Sequence, residues 1–83
     1  MSTMDRDLAK HVASVTIRAI SQLGELVPLL KEHCDAAEYE PYLKAIATVS
    51  AVASTEMLNK VFSSHPDIER EFEAKISKYG RVI

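Results

Sequence analysis

The chain has 83 residues, with ten Lys and Arg against twelve Asp and Glu and a net charge of −2. No run of basic residues exists to follow a phosphate backbone, so the composition argues against nucleic acid as a partner. The apolar runs are shorter than the ~18–20 residues that a bilayer demands, and the first ten residues are too polar for a signal peptide. A single cysteine fits a reducing compartment. We therefore expect one cytoplasmic helical domain over residues 1–83, with no membrane contact.

The first predicted element is a long amphipathic helix, with Thr3 as its N-cap and its end near His33. Its apolar residues recur at steps of three and four: Leu8, Val12, Val15, Ala19, Leu23, Leu26 and Leu30, widened by Ala9, Ala13, Ile20 and Val27. Ile17 projects among the polar residues of the other side. It is either an exposed surface residue or part of a contact with another chain.

Pro28 interrupts this helix, because its ring conflicts with the carbonyl of Gly24, four positions earlier. The pair indicates either a kink in one helix or a break between two. Since the apolar periodicity continues to Leu30, we favour a kink.

A turn over residues 34–40 precedes the second helix, and Asp35 and Glu38 have the spacing of a capping box. Pro41 leaves two alternatives. Either the helix starts after Asp35 and is strained at Pro41, or a single turn precedes a helix with Pro41 at its first position. We favour the second alternative, with the helix ending near Ser63.

The middle of the second helix is uncharged from Ala45 to Thr55, and most of these residues are Ala, Ser or Thr. A helix without a charged face over three turns contacts protein on more than one side. This segment therefore predicts assembly.

The third predicted helix is short. Ser64 serves as its cap, Pro66 lies in its first turn, and Gly80 fits the position after its end. Its narrow apolar stripe predicts that it lies on the surface of the helix pair and seals one end. That stripe consists of Ile68, Phe72, Ile76 and Tyr79.

The two long helices should pair as an antiparallel hairpin in which facing residues have numbers that sum to about 73. Large residues then meet small ones at the crossing. The predicted intrachain packing residues are Val12, Val15, Ala19, Leu23 and Leu26 in the first helix, with Ala47, Ser50, Ser54, Leu58 and Val61 in the second. The fold class is therefore all-α: a helical hairpin with a kinked first helix, plus a short third helix.

A hairpin leaves part of the second helix uncovered, because Val49, Val52 and Ala53 extend its apolar surface away from the first helix. A second copy around a two-fold axis would cover them and complete a four-helix-type bundle. We therefore predict a homodimer with Ile17, Val49, Val52 and Ala53 as candidate partner contacts.

No residue pattern predicts a catalytic, cofactor or metal site. His33 and Cys34 are adjacent and point about 100° apart on a helix, which suits a helix end better than a pair of metal ligands. Glu25 and Glu56 are each followed three residues later by something other than His, unlike di-metal bundles.

The leading hypothesis is therefore a non-enzymatic helical interaction protein, an adaptor, regulator or small chaperone that dimerises and binds a helical client. The alternative is a carrier that holds an apolar small molecule in the bundle core. A nucleic-acid regulator is a third, weaker hypothesis that rests on Lys75, Lys78 and Arg81.

Overall fold

The computed structural model describes residues 4–79, and this part of the chain is all-α without a strand. The predicted helical hairpin followed by a shorter helix is confirmed. The π turn and the two α-helices beside it follow one another without a break, so residues 36–64 form one rod that packs against the first helix. The elements are α1 (Arg6–His33), α2 (Ala36–Ala53), a π turn (Ser54–Leu58), α3 (Asn59–Ser64) and α4 (Pro66–Tyr79).

Helix α1 begins at a side-chain cap. Asp5 Oδ1 accepts a hydrogen bond from the backbone N–H of Leu8 at 2.9 Å, which satisfies a donor that the helix itself leaves free. The predicted cap, Thr3, lies outside the described residues, as does Gly80. The helix runs unbroken through Pro28 to His33, so one continuous helix is correct and a break between two helices is not.

Helix α2 begins earlier than we favoured. It starts at Ala36, with Asp35 as N-cap, and Asp35 Oδ1 accepts from the Glu38 N–H at 3.1 Å. The start at Pro41 is therefore wrong. The cap stabilises the first turn before Pro41 is reached, and the proline costs the helix one hydrogen bond, the one to the carbonyl four residues earlier.

The π turn keeps one side of the rod directed at α1. Ser50, Ser54 and Leu58 are half-buried and follow at steps of four, and each such step overshoots a full α-helical turn by about 40°. A π turn has more residues per turn, so steps of four stay on one side of the rod. Accordingly, the Asn59 N–H donates to the Ser54 carbonyl, five residues back.

The hydrophobic core lies at one end of the hairpin and not at its middle. Ile68 is fully buried and Phe72 nearly so, together with Ala9, Ala13 and Val61. The third helix therefore lies on the helix pair through its apolar stripe and covers one end, as predicted, and its first half supplies the largest core side chains. Ile76, further along the stripe, is 47% exposed.

The chain is more extended than its length requires. Its radius of gyration is 15.2 Å, whereas a compact domain of this length has about 12 Å. Its smallest extent is 14 Å, which is the span of two packed helices with axes about 9 Å apart. Within residues 4–79, no helix is therefore enclosed on all sides by its own chain.

Substitution of Ile68 tests the position of the core. Ile68→Ala should lower the free energy of unfolding by about 2–5 kcal/mol, because it leaves a cavity at a fully buried site. Ile76→Ala, on the exposed part of the same helix, should cost less than about 1 kcal/mol. Urea unfolding followed by circular dichroism measures both. Equal losses for the two variants would contradict the location of the core.

Candidate functional site

The two long helices face each other along a pair of half-buried rows, whose residues alternate with exposed neighbours. The half-buried rows match in number when paired residues sum to 73, and Thr16 and Met57, which are in contact, have that sum. The Thr16 hydroxyl contacts the Met57 sulfur at 3.8 Å in the same register. The facing rows are Ile20, Leu23, Val27, Leu30 and Cys34 in α1 and Tyr39, Leu43, Ile46, Ser50 and Ala53 in α2.

Of the residues that we predicted to pack within the chain, the structure buries some and leaves others exposed. Leu23 and Ser50 lie in the facing rows, Val61 is buried, and Val12, Ser54 and Leu58 are half-buried. Four others remain exposed. In each case the residue next to it in the chain points toward the other helix, and consecutive residues on a helix point about 100° apart. Those four are Val15, Ala19, Leu26 and Ala47.

A mostly apolar set of exposed residues defines one surface, which we call the open face. On both helices these residues precede the facing rows by one position. Because right-handed helices that run antiparallel rotate in opposite senses when viewed from one end, both sets point to the same side of the hairpin. The open face consists of Leu8, Val15, Ala19, Gln22, Leu26 and Leu29 in α1, with Tyr42, Ala45, Val49, Val52 and Glu56 in the rod.

Large apolar side chains on the open face are half exposed. Tyr42 is 60% exposed, Val52 is 54% exposed and Leu29 is 52% exposed. On the rod, a shallow apolar groove of about 400 Å³ runs along one side. Its lining residues are Thr48, Val49, Val52, Ala53, Glu56 and Met57. Three of the four predicted partner contacts, Val49, Val52 and Ala53, therefore lie together in this groove.

Ile17, the fourth predicted partner contact, lies elsewhere. It is half-buried and packs against the core of its own chain. The side of α1 that carries Ile17 is the side on which α4 lies, and the Phe62 and Phe72 rings meet there with centroids 6.2 Å apart. We therefore leave Ile17 out of the open face.

An ion-pair network fixes α4 to that side of α1. Arg6 Nε donates to Asp67 at 2.6 Å and Arg6 Nη2 donates to Glu71 at 3.0 Å, while Lys10 pairs with the other Glu71 oxygen. The hydrogen bond from Arg6 lowers the pKa of Asp67, and that from Lys10 is the main cause of the lowered pKa of Glu71. α4 is thus held away from the open face.

Within residues 4–79, no three His, Cys, Asp or Glu side chains come close enough to share a metal ion. His65 Nε2 lies 3.2 Å from the carbonyl oxygen of Met4, and Cys34 is a half-buried free thiol. None of the helices in this range has the length and hydropathy of a membrane span.

Comparison with protein families, curated proteins and solved structures finds no match for this chain. The open face is thus the feature on which a functional proposal rests.

Sequence reasoning missed the part of this face that α1 and Tyr42 contribute. The available signal was that α1 has two adjacent rows with the same spacing of three and four, one starting at Leu8 and one at Ala9. One neighbouring helix covers only one such row. The other row needed a partner of its own.

The ion-pair network makes the stability of the fold depend on acid pH. Because the pKa values of Asp67 and Glu71 are below their ordinary values of 3.8 and 4.5, their stabilisation is complete at neutral pH. It is lost as the pH falls through the lowered pKa values. Between about pH 6 and about pH 3, the wild-type melting temperature should therefore fall more than that of the Arg6→Gln, Lys10→Gln double variant.

Thermal unfolding across this pH range provides the measurement. Lys60→Gln is the matched control, because Lys60 pairs with Glu56 on its own rod and does not hold α4. Its pH dependence should follow the wild type. Parallel curves for the wild type and the double variant would contradict this role of the network.

Proposed function

We propose that the protein is a non-enzymatic helical interaction protein that acts through self-association and through binding of a helical partner, as an adaptor, regulator or small chaperone does. The open face is its binding surface. The observation that carries the proposal is the row of half-exposed Leu, Val and Tyr side chains along both long helices, on the side of the hairpin opposite α4.

The amount of exposed surface supports this proposal. The chain exposes 6047 Å², whereas a compact monomer of this size exposes about 4,900 Å². The difference is comparable with the ~800 Å² that each partner buries in a specific protein interface. An apolar face of this extent favours association over solvation.

The alternative, an apolar-ligand carrier, finds less support in the groove. Its volume of about 400 Å³ lies within the range of small-molecule pockets. However, its lining residues all belong to a single rod, from Thr48 to Met57, so one side remains open. A ligand site normally buries about 70–90% of its ligand. A partner helix fits an open groove of this kind better.

Association can be tested by charging the open face. Light scattering after gel filtration should show a wild-type dimer at tens of micromolar. Val52→Glu should weaken the dimer at least ten-fold, because two carboxylates would have to be desolvated in an apolar interface. Far-UV circular dichroism should show unchanged helicity, since residue 52 is exposed in the single chain.

Ala51→Glu is the matched control, because Ala51 is an exposed neighbour that points away from the open face. It should leave the dimer intact. A folded wild-type monomer, or equal weakening by the two variants, would contradict the proposal. Native mass spectrometry that shows one chain with a retained small molecule would favour the carrier.

A further inference from the structure

The open face of α1 has the residue pattern of a coiled-coil seam. Together with the half-buried Val12 and the exposed His33, its positions form a row that alternates at steps of four and three from Leu8 to His33, through Val15, Ala19, Gln22, Leu26 and Leu29. This is the spacing of the core positions in a coiled coil. The row is centred midway between Ile20 and Ser21, with the small residue Ala19 and the polar Gln22 on either side of the centre.

The groove on the rod is centred at the same height. Thr48 and Met57 bound it, so its midpoint lies between Val52 and Ala53. In the hairpin register set by Thr16 and Met57, this midpoint lies level with the centre of the α1 row. One line perpendicular to both helices therefore passes over the centre of the α1 row and the centre of the groove.

We propose that the partner on the open face is a second copy of this chain, related by a two-fold axis along this line. The axis places α1 antiparallel on α1 of the partner and the rod antiparallel on the partner's rod. The four long helices then enclose one apolar core. This inference rests on the proposed self-association and adds its orientation.

The charges at the edge of the seam complement each other in this orientation. Residues that flank the row on the side away from α2 are His11, Arg18, Glu25 and Glu32. In the antiparallel pair Arg18 meets Glu25 of the other copy, and His11 meets Glu32, twice each around the axis. Neither Arg18 nor Glu25 has an ion-pair partner of its own among residues 4–79.

An axis parallel to the helices fits the charges less well. It would place α1 over the partner's rod at equal height, where Arg18 meets Thr55 and Glu25 meets Thr48, both uncharged. Residues at the edge of a coiled-coil seam select the orientation of its helices, and opposite charges favour the antiparallel arrangement of like helices here.

The size of the face is sufficient for a stable dimer. The α1 row covers about 38 Å at 1.5 Å per residue, and two adjacent helices are about 20 Å wide. The face therefore offers about 750 Å² per chain, close to the ~800 Å² per partner of specific interfaces.

Spin-label distances test the orientation. With Cys34 replaced by Ser, nitroxides at Lys31→Cys and, separately, at Ser21→Cys each report one distance between the two copies; both sites are exposed. The antiparallel pair separates the Lys31 labels by about 32 Å along the helix axis, but the Ser21 labels by only about 2 Å. We therefore expect a Lys31 distance of about 30–40 Å and a Ser21 distance below about 20 Å.

The possible failures are distinct. A monomer in light scattering would overturn the proposed function and this inference together. A dimer in which the Lys31 distance does not exceed the Ser21 distance would overturn the orientation alone, because an axis parallel to the helices adds no separation along them to either label. Exchange of Arg18 and Glu25 in one chain (Arg18→Glu, Glu25→Arg) should preserve the dimer, whereas Arg18→Glu alone should weaken it several-fold.

Discussion

A helix buries apolar surface only where another element lies against it, and this chain has too few elements for the apolar arc of its two long helices. α1 carries two adjacent apolar rows, and the rod of residues 36–64 covers one of them. α4 lies on the side of α1 that carries Arg6 and Lys10, at the end where Ile68 and Phe72 are buried, and leaves the second row uncovered. The extended outline and the exposed groove both follow from this shortage, and so does the second copy that we propose.

The fold could be predicted from the sequence wherever the signals are local. Apolar steps of three and four specified α1, Pro66 marked the start of α4, and Asp35 with Glu38 supplied the cap of α2. The hairpin register also followed from the sequence, because the position of the turn determines which residues are level, and Thr16 contacts Met57 accordingly. The start of α2 is set by the Asp35 cap and not by Pro41, which the helix tolerates in its second turn.

The rotation of each helix about its axis could not be predicted in this way. The apolar arc of α1 is wide enough that periodicity does not decide which row faces α2, so Leu26 and Ala47 were paired although both remain exposed. The π turn was not predicted, because it depends on contact with α1. The steps of four from Ser50 to Leu58 were the sequence feature that indicated it. The apolar stripe of α4 predicted that Ile68 and Phe72 pack on the hairpin, but it did not show that they are the largest side chains of the core.

The most direct measurement of the central claim is the accessibility of open-face methyl groups in solution. A soluble gadolinium chelate accelerates the relaxation of methyl protons that solvent reaches. At concentrations of a few hundred micromolar, Leu26, Val49 and Val52 should relax almost as slowly as Val61, while Ile76, equally exposed in the single chain, relaxes fast. Equal, fast relaxation of Val52 and Ile76 would show that nothing covers the open face and would contradict the account.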